Sequence, residues 1–319
     1  MSKDNSCILK GICAGGVLFN HLLYWAGMLG NISLLANRIS NVSMAGFLFV
    51  SGYGCFISWE NNGIVNFWEK KIDRLLIPIL CSNILGYIFE LGFMGHTYSR
   101  REFWDGLIAR KVYYPTFNVA LWYVHFLVLW YAVFYLIYRY VNKEFFRLLL
   151  WAMFSCVIFY ITPEVYALAN LYGLAFPLGV AYAKQNPACS KAFRFLLGIV
   201  SFVVLLYVCD DAQMSICGMH LNFFVYAIIT NILYVVTFFA LIAFAECINT
   251  SRSKRLFLWI GKLSFGIYIY QTPILQNLLM NMNLKINKII VMILGIIICL
   301  LFAYGTEKLV SQLNKRKAV

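Results

Sequence analysis

Ten runs of apolar residues, each about as long as a bilayer core is thick, follow one another through the 319-residue chain. They lie at 8–29, 42–59, 75–94, 119–141, 145–161, 167–183, 193–209, 223–245, 256–280 and 288–310. A helix needs about 17–25 residues to cross hydrocarbon, whereas a membrane strand needs only about 9–11. The run lengths therefore predict an all-α chain, a polytopic transmembrane helical bundle of about ten spans. The chain is 62% hydrophobic and only 12% charged, with a mean hydropathy of +0.76. A soluble domain of this size needs far more charge to cover its surface. No soluble domain, internal repeat or low-complexity segment interrupts the runs, so one integral-membrane domain over 1–319 is expected. The first run lacks a small-residue cleavage site and is expected to stay as a helix rather than leave as a signal peptide.

The net charge of +13 does not point to nucleic acid, because the basic residues are dispersed along the ends of the apolar runs. In a polytopic chain such charge records topology, since Lys and Arg collect in cytoplasmic loops. Placing both termini inside assigns 19 of the 26 Lys and Arg to cytoplasmic ends and loops and seven to the outside. The expected location is the cytoplasmic (inner) membrane, with multiple passes and both termini in the cytoplasm. The ten cysteines sit mostly within apolar runs, without CxxC or His-associated spacing, so no metal site is expected. Cys209 and Cys217 flank a short polar loop, and whether they pair is left open by the sequence. Four of the seven outside charges fall in "HTYSRREFWDGLIARKVYYP" (96–115). Phe103, Leu107 and Ile108 share a helical face there, with Trp104 beside them and Arg100, Arg101, Arg110 and Lys111 around. That pattern predicts an interfacial amphipathic helix, a membrane-surface anchor or a guide for an anionic acceptor.

The first run, "ILKGICAGGVLFNHLLYWAGML", carries Lys10 near one end and His21 in its middle. Eleven residues apart, they fall within about 20° of one face and about 16 Å apart along the axis. Lys10 would sit at the cytoplasmic headgroups and His21 near mid-membrane. An ionisable group at that depth is a functional candidate by default, and a histidine can stay neutral there, as a base must. A packed, hydrogen-bonded ring is the competing explanation. Gly11, Gly15 and Gly16 thin the helix, for close packing or to leave room for a narrow substrate. "FWEKKIDRLLIP" (67–78) puts Lys71 and Arg74 one turn apart at the same cytoplasmic level. Two cations one turn apart, with Lys10 nearby, suit a phosphorylated donor. Coenzyme A has the matching form, a phosphorylated head on an extended arm that ends in a thioester.

These residues resemble the integral-membrane acyltransferase 3 family, which O-acylates glycans. Its signature of a basic residue, ten intervening residues and His is matched by Lys10 and His21, with Lys where Arg is usual. Its Arg-x-x-Arg before an apolar helix is matched by Lys71-x-x-Arg74 followed by "LLIP". "GFLFVSGYG" (46–54), "LWYVHFLVLWY" (121–131) and "GKLSFGIYIYQTP" (261–273) are similar to further family segments. Order and spacing agree over nearly the whole chain. Gln271 stands where the last segment often has His, so no catalytic role transfers to that position. No further domain follows the last run, and a bare membrane module is expected.

The resemblance implies transfer of an acyl group, most simply acetyl, from acetyl-coenzyme A or another acyl-coenzyme A to a hydroxyl of a cell-surface or lipid-linked glycan. No cofactor is bound in that scheme; the thioester is a donor substrate. His21 is the catalytic residue, as general base or as a nucleophile that carries the acyl group briefly. Lys10, Lys71 and Arg74 hold donor phosphates. Weaker substrate-binding candidates are Ser51 and Tyr53 in a small-residue segment, Glu90 as the clearest buried carboxylate, and Trp122 and His125 one turn apart. Helix packing, a basic partner and interface anchoring compete for those residues. Asp210, Asp211 and His220 read as solvated loop residues. Pro273 should kink its helix and free the carbonyl of Ile269. A secondary transporter or flippase for a glycan or small anionic solute is the alternative class, although the repeats such proteins often show are missing. GxSxG and HExxH are absent.

Overall fold

The structure is a computed structural model that describes residues 1–108, 117–165, 172–185, 187, 189–210, 214–248, 251–281 and 287–317. Among the described residues it is all-α apart from one miniature sheet. The helices are α1 (Lys3–Trp25), α2 (Ser33–Asn62), α3 (Phe67–Phe93), α4 (Arg100–Leu107), α5 (Leu121–Tyr140) and α6 (Glu144–Val165), followed by α7 (Ala175–Gln185), α8 (Lys191–Tyr207), α9 (Phe223–Cys247), α10 (Ser251–Gln271) and α11 (Lys288–Lys317). A π-helical segment, Thr272–Asn281, continues α10 without a break in the chain path.

Nine of the ten apolar runs fall on one of these helices, the ninth in order on α10 and its π-helical continuation together; of the sixth, 167–183, only 175–183 lies on α7. Among the described residues, α1, α2, α3, α5, α9 and α11 are each long and apolar enough to cross a membrane. α8 has 17 residues and α7 has 11, while the residues ahead of α7 (166–171) lie outside the described part. The outward faces are apolar as well. Leu196, Val200 and Val203 of α8 and Ile293, Ile297 and Leu301 of α11 are exposed, positions that a water-soluble surface would fill with charge.

The chain divides into two compact units. The first comprises Met1–Val17, Asn31–Val65 and Phe126–Gly261. Its core is aromatic: Phe49, Trp130, Phe134, Phe176 and Phe238 are fully buried, and the rings of Trp130 and Phe176 stack 5.7 Å apart. α2 and α7 cross at glycines. A Cβ on Gly52 would collide with the carbonyl of Phe176, and one on Gly179 with the carbonyl of Phe49, so backbone meets backbone where a larger residue would hold the helices apart. Gly11 approaches Gly261 in the same way, and Gly16 faces Ser43. Two of the three α1 glycines thus serve packing; a Cβ on Gly15 would meet nothing within 4 Å.

The loop after α8 in this unit forms three two-residue strands, β1 (Cys209–Asp210), β2 (Ser215–Ile216) and β3 (Met219–His220), in antiparallel order. Cys217 and Gly218 turn β2 into β3 with φ of 52° and 75°, the two positive values of a tight primed hairpin turn. Cys209 and Cys217 are both free thiols. Arg38, only 1% exposed, anchors this sheet by donating to the carbonyl of Cys209 at 2.8 Å and to the hydroxyl of Tyr234 at 2.9 Å.

The second unit comprises Leu18–Gly30, Asn66–His125 and Lys262–Val319. In it α11 packs on α3 and on the π-helical segment, and α4 packs on α3. α4 opens on a reciprocal cap in which Ser99 accepts from the Glu102 backbone and the Glu102 carboxylate accepts from the Ser99 backbone. Phe103 turns inward to an edge contact with Tyr87 at 4.8 Å, while Trp104 and Ile108 are exposed. Within 96–115 a helix forms at Arg100–Leu107, and the expected face of Phe103, Leu107 and Ile108 is divided, Phe103 turned inward and Ile108 exposed; Arg110 and Lys111 lie outside the described residues.

Candidate active site

α1 carries both expected groups, Lys10 in its first-unit part and His21 in its second-unit part. The ring of His21 stacks on Trp25, one turn later, with centroids 4.8 Å apart. Nδ1 of His21 is sealed from solvent and closes no hydrogen bond, although the residue as a whole is only half-buried. Asn20 beside it also has a buried Oδ1 without a partner. Buried polar groups in native proteins are nearly always satisfied.

The side chain of Gln271 lies within hydrogen-bonding reach of His21. Gln271 is the last residue of α10 and fully buried. Its Nε2 donates to the carbonyl of Tyr268 at 2.9 Å, and its Oε1 is buried without a closed partner. The sequence-based reading sets Gln271 aside; the structure brings it to the histidine.

What holds Gln271 there follows from Pro273. Proline lacks the N–H that would bond to the carbonyl four residues back. The helix widens to π geometry over Thr272–Asn281, a local form that recurs at functional sites. The freed carbonyl of Ile269 accepts from Nδ2 of Asn118 at 2.7 Å. The same Asn118 accepts from the backbone of Ala120 at 3.0 Å and donates to Ser82 at 3.3 Å, and Tyr268 donates to the carbonyl of Ala120 at 2.9 Å. One amide therefore ties α3, the start of α5 and the end of α10. Asn118→Ala leaves the buried Ile269 carbonyl unpaired, at a cost of about 1–3 kcal/mol. Thermal unfolding in detergent is expected to show a lower midpoint, and an unchanged midpoint would mean that the tie contributes nothing.

The other expected site residues divide between the two units. Lys71 and Arg74 lie in the second, on the first turns of α3; Lys71 sits 5.5 Å above the ring of Phe67. Arg74 is exposed, and no ion pair engages it among the described residues. Other cations expected on the cytoplasmic side are paired: Lys254 with Asp4 at 2.8 Å, Arg194 with Glu246 through two bonds of 3.1 and 2.7 Å, and Lys184 with Glu144. Lys10, Ser51 and Tyr53 belong to the first unit. Ser51 is half-buried, and Tyr53 donates to the carbonyl of Met1 at 2.6 Å, which accounts for its hydroxyl structurally.

Glu90 corrects its expectation. It is half-buried, its side chain 24% exposed, because α3 ends a few residues later at the exposed loop. It binds His96 Nδ1 at 2.5 Å and accepts from Tyr98 at 3.2 Å, so it does orient a histidine, but a loop histidine. His125 spends Nδ1 on the carbonyl of Leu121, 2.8 Å away, and Trp122 meets Tyr123 edge-on at 6.1 Å. Asp210 and His220 are exposed on β1 and β3; Asp211 is outside the described residues. Among the described residues no cluster of His, Cys, Asp or Glu is built to hold a metal ion.

The family whose model matches this chain is described as an acyltransferase domain, and the match covers residues 7–308. No curated protein and no solved structure matches the chain.

Proposed function

The chain belongs to the acyltransferase 3 family, and from that premise we propose that this multi-pass membrane acyltransferase is an O-acyltransferase, most simply an O-acetyltransferase. It moves an acyl group from acyl-coenzyme A to a hydroxyl of a cell-surface or lipid-linked glycan. As a single module it crosses the cytoplasmic membrane ten times with both termini inside, as the inward bias of Lys and Arg supports. The observation that carries the reading is His21, an imidazole in an apolar helix whose sealed Nδ1 closes no hydrogen bond.

In this scheme Lys10, Lys71 and Arg74 hold the donor phosphates at the inner surface, and the thioester arm reaches inward toward His21. His21 takes the proton of the acceptor hydroxyl as the oxygen bonds to the thioester carbonyl. It returns that proton to the coenzyme A sulfur as the carbon–sulfur bond breaks, so the histidine ends as it began. A brief acyl-imidazole on the same ring is the other order of events, and rapid-quench mass spectrometry of intact protein tells the two apart.

Protein in nanodiscs, titrated with acetyl-coenzyme A, is expected to bind the donor and to release free thiol once membrane glycan is added. Donor binding without glycan-dependent thiol release sinks the transfer reaction. A folded protein that binds no acyl-coenzyme A sinks the donor site and brings solute transport forward.

A further inference from the structure

α4 does not lie flat at the end of α3; it turns back along it. Tyr98, just ahead of α4, donates to the Glu90 carboxylate at 3.2 Å. Phe103 meets Tyr87 with ring centroids 4.8 Å apart, and Asn83 donates to the carbonyl of Leu107 at 2.8 Å. As the numbering rises through α4, its partners on α3 run from Glu90 back to Asn83, a descent of about 10 Å. α3 is long and apolar enough to cross a membrane, so α4 dips from the end of that span toward hydrocarbon. The bond from Asn83 satisfies a carbonyl of the last turn of α4, which hydrocarbon cannot.

One side of α4 is closed by the protein. Asp105 is buried, and a Cβ on Gly106 would stand 2.6 Å from the ring of Phe117. The other side is bare. Arg100, Trp104 and Ile108 follow one another down it at four-residue steps, with Arg101 beside them, all within an arc of about 100°. All four are exposed. Both arginines lie in the first turn, where the positive end of the helix dipole disfavours cations. Among the described residues neither guanidinium has a hydrogen bond or an ion pair, and the Glu102 carboxylate is engaged by Ser99. Nothing in the helix calls for these two charges; what they complement is a negative group outside the chain.

We propose that this face of α4 is a binding site for an anionic phospholipid, with the phosphate held by Arg100 and Arg101 and an acyl chain lying along Trp104 and Ile108. The order down the helix is the order down a lipid. Charge comes first, then an indole of the kind enriched where headgroups meet hydrocarbon, then an aliphatic side chain about 12 Å from the first arginine. Two cations favour an anionic lipid over a zwitterionic one, whose own amine already balances its phosphate. The reciprocal cap of Ser99 and Glu102 and the bond from Asn83 fix both ends of α4, so the lipid meets a preformed support. The site needs only a bilayer around the chain and is independent of acyl transfer.

The test is lipid titration of the protein in a neutral detergent, read by native mass spectrometry and by thermal unfolding. Wild type is expected to retain phosphatidylglycerol in preference to phosphatidylcholine. Its unfolding midpoint should rise with phosphatidylglycerol, since a ligand that binds only the folded state stabilises it. Arg100→Gln combined with Arg101→Gln should lower the affinity for phosphatidylglycerol about fivefold per side chain, the usual worth of a basic residue at an anionic lipid surface. Its affinity for phosphatidylcholine should not change, whereas Trp104→Ala with Ile108→Ala should weaken both lipids alike. The preference of wild type should also shrink as salt rises, a readout that needs no variant. Equal binding of the two lipids by wild type overturns the site, as does a folded double-arginine variant that binds phosphatidylglycerol as wild type does. If that variant keeps its lipid but loses turnover of a negatively charged glycan acceptor, the arginines serve the acceptor and the lipid site is likewise overturned.

Discussion

His21→Ala is expected to bind acyl-coenzyme A as the parent does and to turn it over about 10²- to 10⁴-fold more slowly, the usual worth of a positioned general base. The size of the loss separates chemistry from packing. Removing the ring also deletes the stacking contact with Trp25 and leaves a small cavity, but a packing defect lowers the unfolding midpoint and spares the per-molecule rate of what remains folded. His21→Gln sharpens the comparison. Glutamine approximates the imidazole's reach and can hydrogen-bond, yet it cannot take up a proton. Equal losses of kcat in both variants, with donor affinity kept, mean that proton transfer or acyl carriage is what the ring supplies. Turnover within a few-fold of wild type in folded His21→Gln would place the imidazole among the packed, non-reacting histidines.

Much of the architecture is legible in the sequence because a bilayer imposes its own length on each helix. The apolar runs of 8–29 and 223–245 match α1 and α9 to within a few residues, since the chain must change character wherever it leaves hydrocarbon. Pro273 is legible for a similar reason: a missing N–H has to free a carbonyl. What accepts the consequence is not legible. Asn118, the donor to that carbonyl, is 151 positions distant, and nothing local to "TFNVALWY" announces it. Gln271 and His21 are separated by still more chain, so their meeting is a property of packing and not of pattern.

The same limit explains the smaller surprises. Two-residue strands at 209–220 are too short to show any alternation, and only the positive φ at Cys217 and Gly218 exposes the turn. Arg38 counts in the sequence as one outside charge, yet it is fully buried because two acceptors, the Cys209 carbonyl and the Tyr234 hydroxyl, converge on its fork. Glu90 stands out as a carboxylate in an apolar run, and only coordinates reveal that the end of α3 lets it reach the loop histidine His96.

The paired substitution Lys71→Ala and Arg74→Ala is expected to raise KM for acyl-coenzyme A about tenfold per side chain, toward the low end for a charge-assisted contact, and to leave kcat at saturation nearly unchanged. The low end applies because Arg74 is exposed and salt screens a charge in water strongly. The effect should therefore shrink as ionic strength rises, and it should fall on binding rather than on the bond-making step. A raised KM alone does not prove phosphate recognition, since losing two cations at the first turns of α3 also changes how that helix meets the headgroups. Dephospho-coenzyme A thioesters remove the ambiguity. If these side chains hold donor phosphates, wild type binds the full donor more tightly than the dephospho form, and the substituted protein loses part of that preference. The coupling between protein change and ligand change then reports the contact itself. A KM that rises equally for both donors assigns Lys71 and Arg74 to membrane anchoring, and the phosphate site has to be sought among the other cations of the inner surface.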